Sequence, residues 1–213
     1  MKAISSMIII FILVLSSSCK WALMSVSGFR EPGVESKESI FVFLRKLKQD
    51  TNNVYALDTN LFNHFRQESF KPGWAKSFRP VQIRVYDKNG IPVMQWASCE
   101  GYLKDLKTFD TVPPRNNNTL NTSLNLQQDL SRYFNLDGKP ANAVAEEGYD
   151  YSILIYFAKY FPRLTRESFT QVHKYINKHP YLKFKVYKIN VDVQRFWGVE
   201  PEITTDVHSG GEK

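Results

Sequence analysis

The chain has 213 residues, 43% of them apolar and 23% charged, with 28 Lys and Arg against 21 Asp and Glu. That length suits one domain with a small attachment and is enough to bury a core, while the composition excludes a disordered tail and a multi-span membrane protein. Two cysteines are too few for a disulfide framework or a four-Cys zinc site, and the net charge of +7 points to anionic partners, not to a fold.

The chain opens with the pattern of an export signal. Lys2 supplies a positive start, Met7 to Leu15 is an unbroken apolar run, and Ser16, Ser17 and Ser18 are the small residues of a cleavage zone. The apolar run is short of the roughly 20 residues needed to span hydrocarbon. Cys19 follows directly. The segment Leu15-Ser16-Ser17-Ser18-Cys19 resembles the lipobox of bacterial lipoproteins, with Ser16 where the strict pattern has an aliphatic residue. The resemblance implies that residues 1–18 are removed, that Cys19 carries the lipid, and that the protein is anchored at the bacterial cell envelope. Lys20, where Asp would otherwise stand, implies the outer membrane in enteric bacteria. The alternative reading is an ordinary secretory signal with Cys19 in the mature chain. If Cys19 is lipidated, Cys99 is the one remaining thiol. Trp96, Ala97 and Ser98 before it suit a small buried residue, and Glu100 after it opposes a reactive thiolate.

Residues 19–36, with their Ser, Gly and Pro, read as a tether. An N-terminal helical segment is expected over 37–80. Ile40, Phe43, Leu44 and Leu47 recur at helical spacing after Ser36 or Ser39 as cap, and Leu61, Phe62 and Phe65 follow Asp58-Thr59-Asn60. A hairpin is expected over 81–99. Val81, Ile83 and Val85 alternate with Gln82, Arg84 and Tyr86, and Asp87-Lys88-Asn89-Gly90 is turn chemistry with Asn-Gly supplying positive φ. Pro92 at the start of the return strand suggests an edge strand or a first-residue position. Residues 108–125 form a polar loop around Pro113-Pro114 and an Asn run, and a short helix is expected from Leu126.

Residues 150–193 read as a βαβ unit. The run Ser152 to Ala158 is apolar throughout, as in a strand covered on both faces. A helix capped by Thr165 carries Phe169, Val172 and Ile176 and stops at His179-Pro180. The next strand, Leu182 to Val191, changes its apolar phase midway, which suggests a bulge or two differently covered ends. This stretch resembles the thioredoxin-like fold, in an apolar strand ending Tyr156-Phe157-Ala158-Lys159-Tyr160 and a later strand ending Asn190-Val191-Asp192. The resemblance implies an α/β domain over 81–213, a thioredoxin-like βαβ unit completed by the β-hairpin. The family's Cys-x-x-Cys would fall on Phe161-Pro162-Arg163-Leu164, which has no thiol to attack a disulfide.

No Gly-rich phosphate loop, His-Glu-x-x-His or Gly-x-Ser-x-Gly occurs, and His64, His173, His179 and His208 have no metal spacing. No catalytic group, cofactor or metal is expected. Tyr160, Phe161 and Leu164 are the candidate binding patch, with hydrophobic cover of a helix start as the plainer reading. Lysines and arginines from Arg163 to Lys188 read as a solvated face or as an attraction to anionic surfaces, and the export signal argues against nucleic acid. The expected function is a lipid-anchored, redox-inactive thioredoxin-like module that binds an envelope protein or plays a structural part, with the membrane as a second partner through Cys19. The rival is a thiol-dependent enzyme of peroxide or monothiol chemistry using Cys99. The sequence leaves the oligomeric state open.

Overall fold

A computed structural model describes residues 28–68, 80–97 and 124–198. Cys19, Cys99, the signal segment and nearly all of the 108–125 loop lie outside the described residues. In chain order the elements are β1 (Val34–Glu35), α1 (Lys37–Lys46), β2 (Val54–Ala56), α2 (Thr59–Glu68), β3 (Gln82–Asp87), β4 (Pro92–Ala97), α3 (Leu126–Leu130), β5 (Tyr151–Phe157), α4 (Pro162–Lys178), β6 (Phe184–Asn190), β7 (Val193–Gln194) and a 3-10 turn (Arg195–Trp197).

Five strands form one mixed sheet in the order β2-β6-β5-β3-β4. β2, β6 and β5 run parallel, and β3 and β4 are antiparallel additions on the far side of β5. A second, two-residue parallel pair joins β1 to β7. The chain is thus of the α/β class, with β5-α4-β6 as its parallel crossover and the earlier hairpin paired beside β5.

β5 explains the layering. Its side chains alternate between faces, and every residue from Ser152 to Phe157 is buried. Ile153, Ile155 and Phe157 belong to a core with Ile40 and Leu44 of α1 and Phe169, Val172 and Tyr175 of α4. Leu154, Tyr156 and Ala158 belong to a second core with Leu61 of α2, Leu126 and Leu130 of α3, and Tyr133. Each large apolar side chain taken fully out of water adds about 1.5–3 kcal/mol, so both layers contribute to stability. The segment 37–80 supplies a strand as well as helices, because β2 pairs with β6 and α1 packs in the first core.

The local signals act as physics requires. Ser36 caps α1, accepting from the Ser39 amide while Ser39 Oγ accepts from the Ser36 amide, and Arg45 and Lys46 stand in the last turn where the helix dipole favours cations. β4 is an edge strand and opens with Pro92. In the hairpin turn, Gly90 takes φ +73° and Asn89 does not become positive. The Asp87 carboxylate accepts from the amides of Asn89 and Ile91, and the pairing slips after Val85, so a longer bulged turn replaces the two-residue Asn-Gly turn.

One further expectation is corrected, and of the two readings of β6 one is excluded. α4 begins at Pro162, which occupies the first turn where its missing N–H costs nothing. Thr165 lies inside the helix, buried, and ties it to β5: its hydroxyl donates to Ala158 O (2.8 Å) and accepts from Ala158 N (3.2 Å). The phase change in β6 is not a bulge, since β5 and β6 pair without a break from Tyr151↔Phe184 to Phe157↔Asn190. Instead β2 flanks only Lys188–Asn190, and from Tyr187 onward β6 is buried on both faces. Lys188 is buried there because its ammonium donates to Asp50 Oδ1 (2.9 Å) and Asn52 O (2.8 Å).

Candidate functional site

The carboxyl ends of β5 and β6 bring the sequence-level candidates to one place. In open α/β sheets this end holds the crevice in which ligands bind. β5 leads through Ala158, Lys159, Tyr160 and Phe161 into α4, and β6 leads through Val191 to Asp192. Val191 N donates to Phe157 O (3.0 Å), so the two strands stay together past their last ladder pair.

Asp192 pins the β5–α4 loop. Its two carboxylate oxygens accept from Lys159 N at 3.0 and 2.9 Å, and one also accepts from Asn190 Nδ2 at 2.7 Å. Gln194 Nε2 closes the corner by donating to Asn190 Oδ1 and Asp192 O, each at 2.6 Å. Burial pushes the Asp192 carboxyl up to about 6, against the opposing pull of those hydrogen bonds. Lys159 turns its ammonium to Glu35 in an ion pair, and Glu35 also accepts from Ser39 Oγ.

The aromatic part sits beside this charged corner. The rings of Tyr160 and Phe161 lie 4.9 Å apart, and Phe29 packs on both, at 6.1 and 5.2 Å. Arg30 N donates to Tyr160 O (2.8 Å). Burial, then the nearby Asp192 carboxylate, raises the Tyr160 hydroxyl well above the ordinary phenol range. Tyr160, Phe161 and Leu164 are all half-buried. The structure therefore gathers the three patch residues at one end of the sheet and lays residues 28–30 over two of them.

Sequence reasoning missed Phe29, Glu35 and the pairing of β1 with β7. The single usable signal was an isolated aromatic in the Gly- and Pro-containing stretch Gly28-Phe29-Arg30-Glu31-Pro32-Gly33. The expected basic face is also divided. Arg163, Arg166, Lys174, Lys178 and Lys183 are exposed, whereas Lys188 is buried and Lys185 is half-buried, paired with Glu146 and set 5.6 Å from the Tyr149 ring. Among the described residues, no cluster of His, Cys, Asp or Glu is placed to hold a metal ion, and no helix is long and apolar enough to cross a membrane. His173 is exposed on α4, and the His179 ring contacts Tyr175 and Tyr181.

The other concentration of polar groups is structural. Behind β5, Asp129 of α3 accepts from Arg84 Nη1 (2.9 Å), Tyr86 OH (2.6 Å) and Tyr133 OH (2.8 Å). The Tyr133 and Tyr156 hydroxyls bond to one another, and the Arg84 guanidinium lies 4.9 Å from the Tyr156 ring. All five residues are buried, so no substrate reaches them. A polar groove of about 270 Å³, lined by Asp87, Lys88, Asn125, Glu146 and Tyr149 among others, opens at the opposite end of the sheet, beside the hairpin turn.

The class defined by these features is an α/β domain with a five-stranded mixed sheet and an aromatic, ion-paired corner at the ends of its parallel strands. Comparison with protein-family models, with curated proteins and with solved structures gave no match.

Proposed function

We propose that the chain is a lipid-anchored, redox-inactive module of thioredoxin-like architecture in the bacterial cell envelope, and that it binds a protein partner through the mouth formed by Tyr160, Phe161 and Leu164. The observation that carries this reading is the chemistry at the start of α4. Where a thioredoxin-like redox centre has two thiols, this chain has Phe161 and Leu164, with Phe161 in a half-buried aromatic cluster at the ligand-binding end of the sheet. Aromatic side chains offer large contact area at low entropic cost, which suits a binding surface. The antiparallel hairpin beside β5 supports the thioredoxin-like reading, with the hairpin supplied from before the βαβ unit. The envelope assignment rests on the lipobox resemblance at Cys19, and Gly28 lies within about 30 Å of Cys19 along even a fully extended chain.

Phe161→Glu is expected to reduce co-purification of a cross-linked partner at least tenfold while the far-ultraviolet circular dichroism stays native, because a charge cannot enter an aromatic contact unpaired. Unchanged capture would remove the mouth from the proposal. Anchoring has its own test. Metabolic labelling with a fatty-acid probe is expected to mark the wild-type chain and leave Cys19→Ser unlabelled; equal labelling of the two would end the lipoprotein reading.

A further inference from the structure

We infer that residues 28–35 are a displaceable strap, and that the mouth beneath takes an extended peptide with an aromatic anchor in the place Phe29 now holds. This rests on the binding function proposed above and names the kind of partner.

Phe29 sits on Tyr160 and Phe161, Arg30 N donates to Tyr160 O, Val34 and Glu35 pair in parallel with Val193 and Gln194, and Glu35 latches onto Lys159. None of residues 28–36 is buried, whereas β5 behind the mouth is buried from Ser152 to its end. A segment with few buried apolar contacts and exposed backbone bonds opens at a small fraction of the global unfolding free energy. Pro32 and Gly33, both exposed, separate the aromatic contact from the paired strand.

Every one of these contacts is reproducible by another chain. One uses a backbone N–H, one an extended two-residue pairing, one an aromatic ring and one a carboxylate. Recognition of extended peptides works in this way: main-chain bonds provide affinity and spaced side chains provide selectivity. The strap itself defines the pattern, an aromatic residue followed six positions later by a carboxylate, as in Phe29 and Glu35. With the strap released, the Lys159 ammonium loses its Glu35 partner, so the open mouth offers two aromatic rings beside a cation.

The test uses the full chain and a fluorescein-labelled synthetic peptide of residues 26–36, Val-Ser-Gly-Phe-Arg-Glu-Pro-Gly-Val-Glu-Ser. Fluorescence anisotropy is expected to show binding at least tenfold tighter to the Phe29→Ala, Glu35→Gln chain than to the wild type, and loss of that binding when the peptide's own Phe is replaced by Ala. A second arm holds the strap shut. A Cβ built on Gly28 falls 3.2 Å from Arg163 Cβ, just inside the usual disulfide separation, and Gly28 has φ +66°, so Gly28→Cys with Arg163→Cys in a Cys19→Ser, Cys99→Ser background cross-links the strap to α4 once the backbone at residue 28 gives by a few tenths of an ångström. The oxidised form, verified by mass, is expected to bind no peptide and to regain binding on reduction. Equal affinity of the wild-type and open-strap chains, or no binding by either, would overturn the strap. Neither result touches the Phe161→Glu outcome, on which the binding function is judged. A wild-type chain that dimerises through Phe29 would place a second copy's segment in the mouth and overturn the intramolecular assignment.

Discussion

Asp129→Ala is expected to cost about 3–5 kcal/mol of folding stability, the largest loss from any single substitution proposed for this chain. Asp129 is fully buried, and its carboxylate is the hydrogen-bonded counterion of Arg84, itself 4% exposed. Removing it leaves a guanidinium in the core without a counter-charge, leaves the Tyr86 hydroxyl without its acceptor, and leaves the Tyr133 hydroxyl with Tyr156 in place of a carboxylate. The three tyrosine hydroxyls keep their protons at any working pH, because burial raises all of them far above the ordinary phenol range. They therefore act as donors around the Asp129 carboxylate. Urea unfolding measures the loss as a lower midpoint at an unchanged slope. Replacing both charges, Asp129→Leu with Arg84→Met, is expected to recover most of it, since a buried ion pair exchanged for packed apolar groups is often neutral. A double variant no more stable than Asp129→Ala would show that the polar network, and not the orphaned charge, sets the cost.

That network also shows where sequence patterning stops being informative. Over residues 81–86 the alternation of Val81, Ile83 and Val85 with Gln82, Arg84 and Tyr86 reads as one apolar face and one wet face. In the folded chain both faces are buried, and Gln82, Arg84 and Tyr86 are all under 5% exposed. The polar face is tolerated because α3 covers it and brings Asp129 to Arg84 from 45 residues along the chain, and no periodicity reports a charge supplied from so far away. Asp129 in Leu126-Gln127-Gln128-Asp129-Leu130 looks like an exposed residue of a short helix for the same reason. By contrast, Ser152–Ala158 was readable because burial on two faces demands an unbroken apolar run. α1 was readable from its cap and its spacing. β2 has three residues, too few for a period, and is a strand only because β6 offers Lys188–Asn190 as partners.

At the candidate site the division is similar. Tyr160 and Phe161, with Leu164 in the first turn of α4, follow from the βαβ reading, since the link between a parallel strand and its helix must lie at the strand's carboxyl end. Phe29 and Glu35 do not, because their role depends on where the segment before α1 travels. It travels across the mouth because β7 offers Val193 and Gln194 as a short parallel edge, and because Lys159 offers a cation beside it. The same corner then controls loop and strap together: Asp192 holds the Lys159 backbone, and Glu35 holds the Lys159 side chain.

Asp192 makes this corner dependent on pH in a calculable direction. Its carboxyl is raised from 3.8 to about 6, chiefly by burial and also by the Glu35 carboxylate. A raised carboxyl stabilises the fold fully below its unfolded value and loses that contribution as pH climbs through its folded value. Stability is therefore expected to fall by about 3 kcal/mol between pH 4 and pH 6 and to level off above. Asp50, whose carboxyl is held low by Lys188 and the Asn52 amide despite the cost of its burial, gives a slope of the opposite sign, so the wild-type profile alone is a mixture. The difference from Asp192→Asn isolates the effect, because Asp50 is common to both chains. The variant keeps an acceptor for Lys159 N but sets its amide against that of Asn190, which shifts its curve without tilting it. Chemical denaturation from pH 3.5 to 7.5 is expected to show the wild type losing ground to the variant as pH rises, most steeply between pH 4 and 6. A constant difference across that range would mean that the Asp192 carboxyl ionises at its ordinary value, and that the corner beneath the strap does not respond to pH through this group.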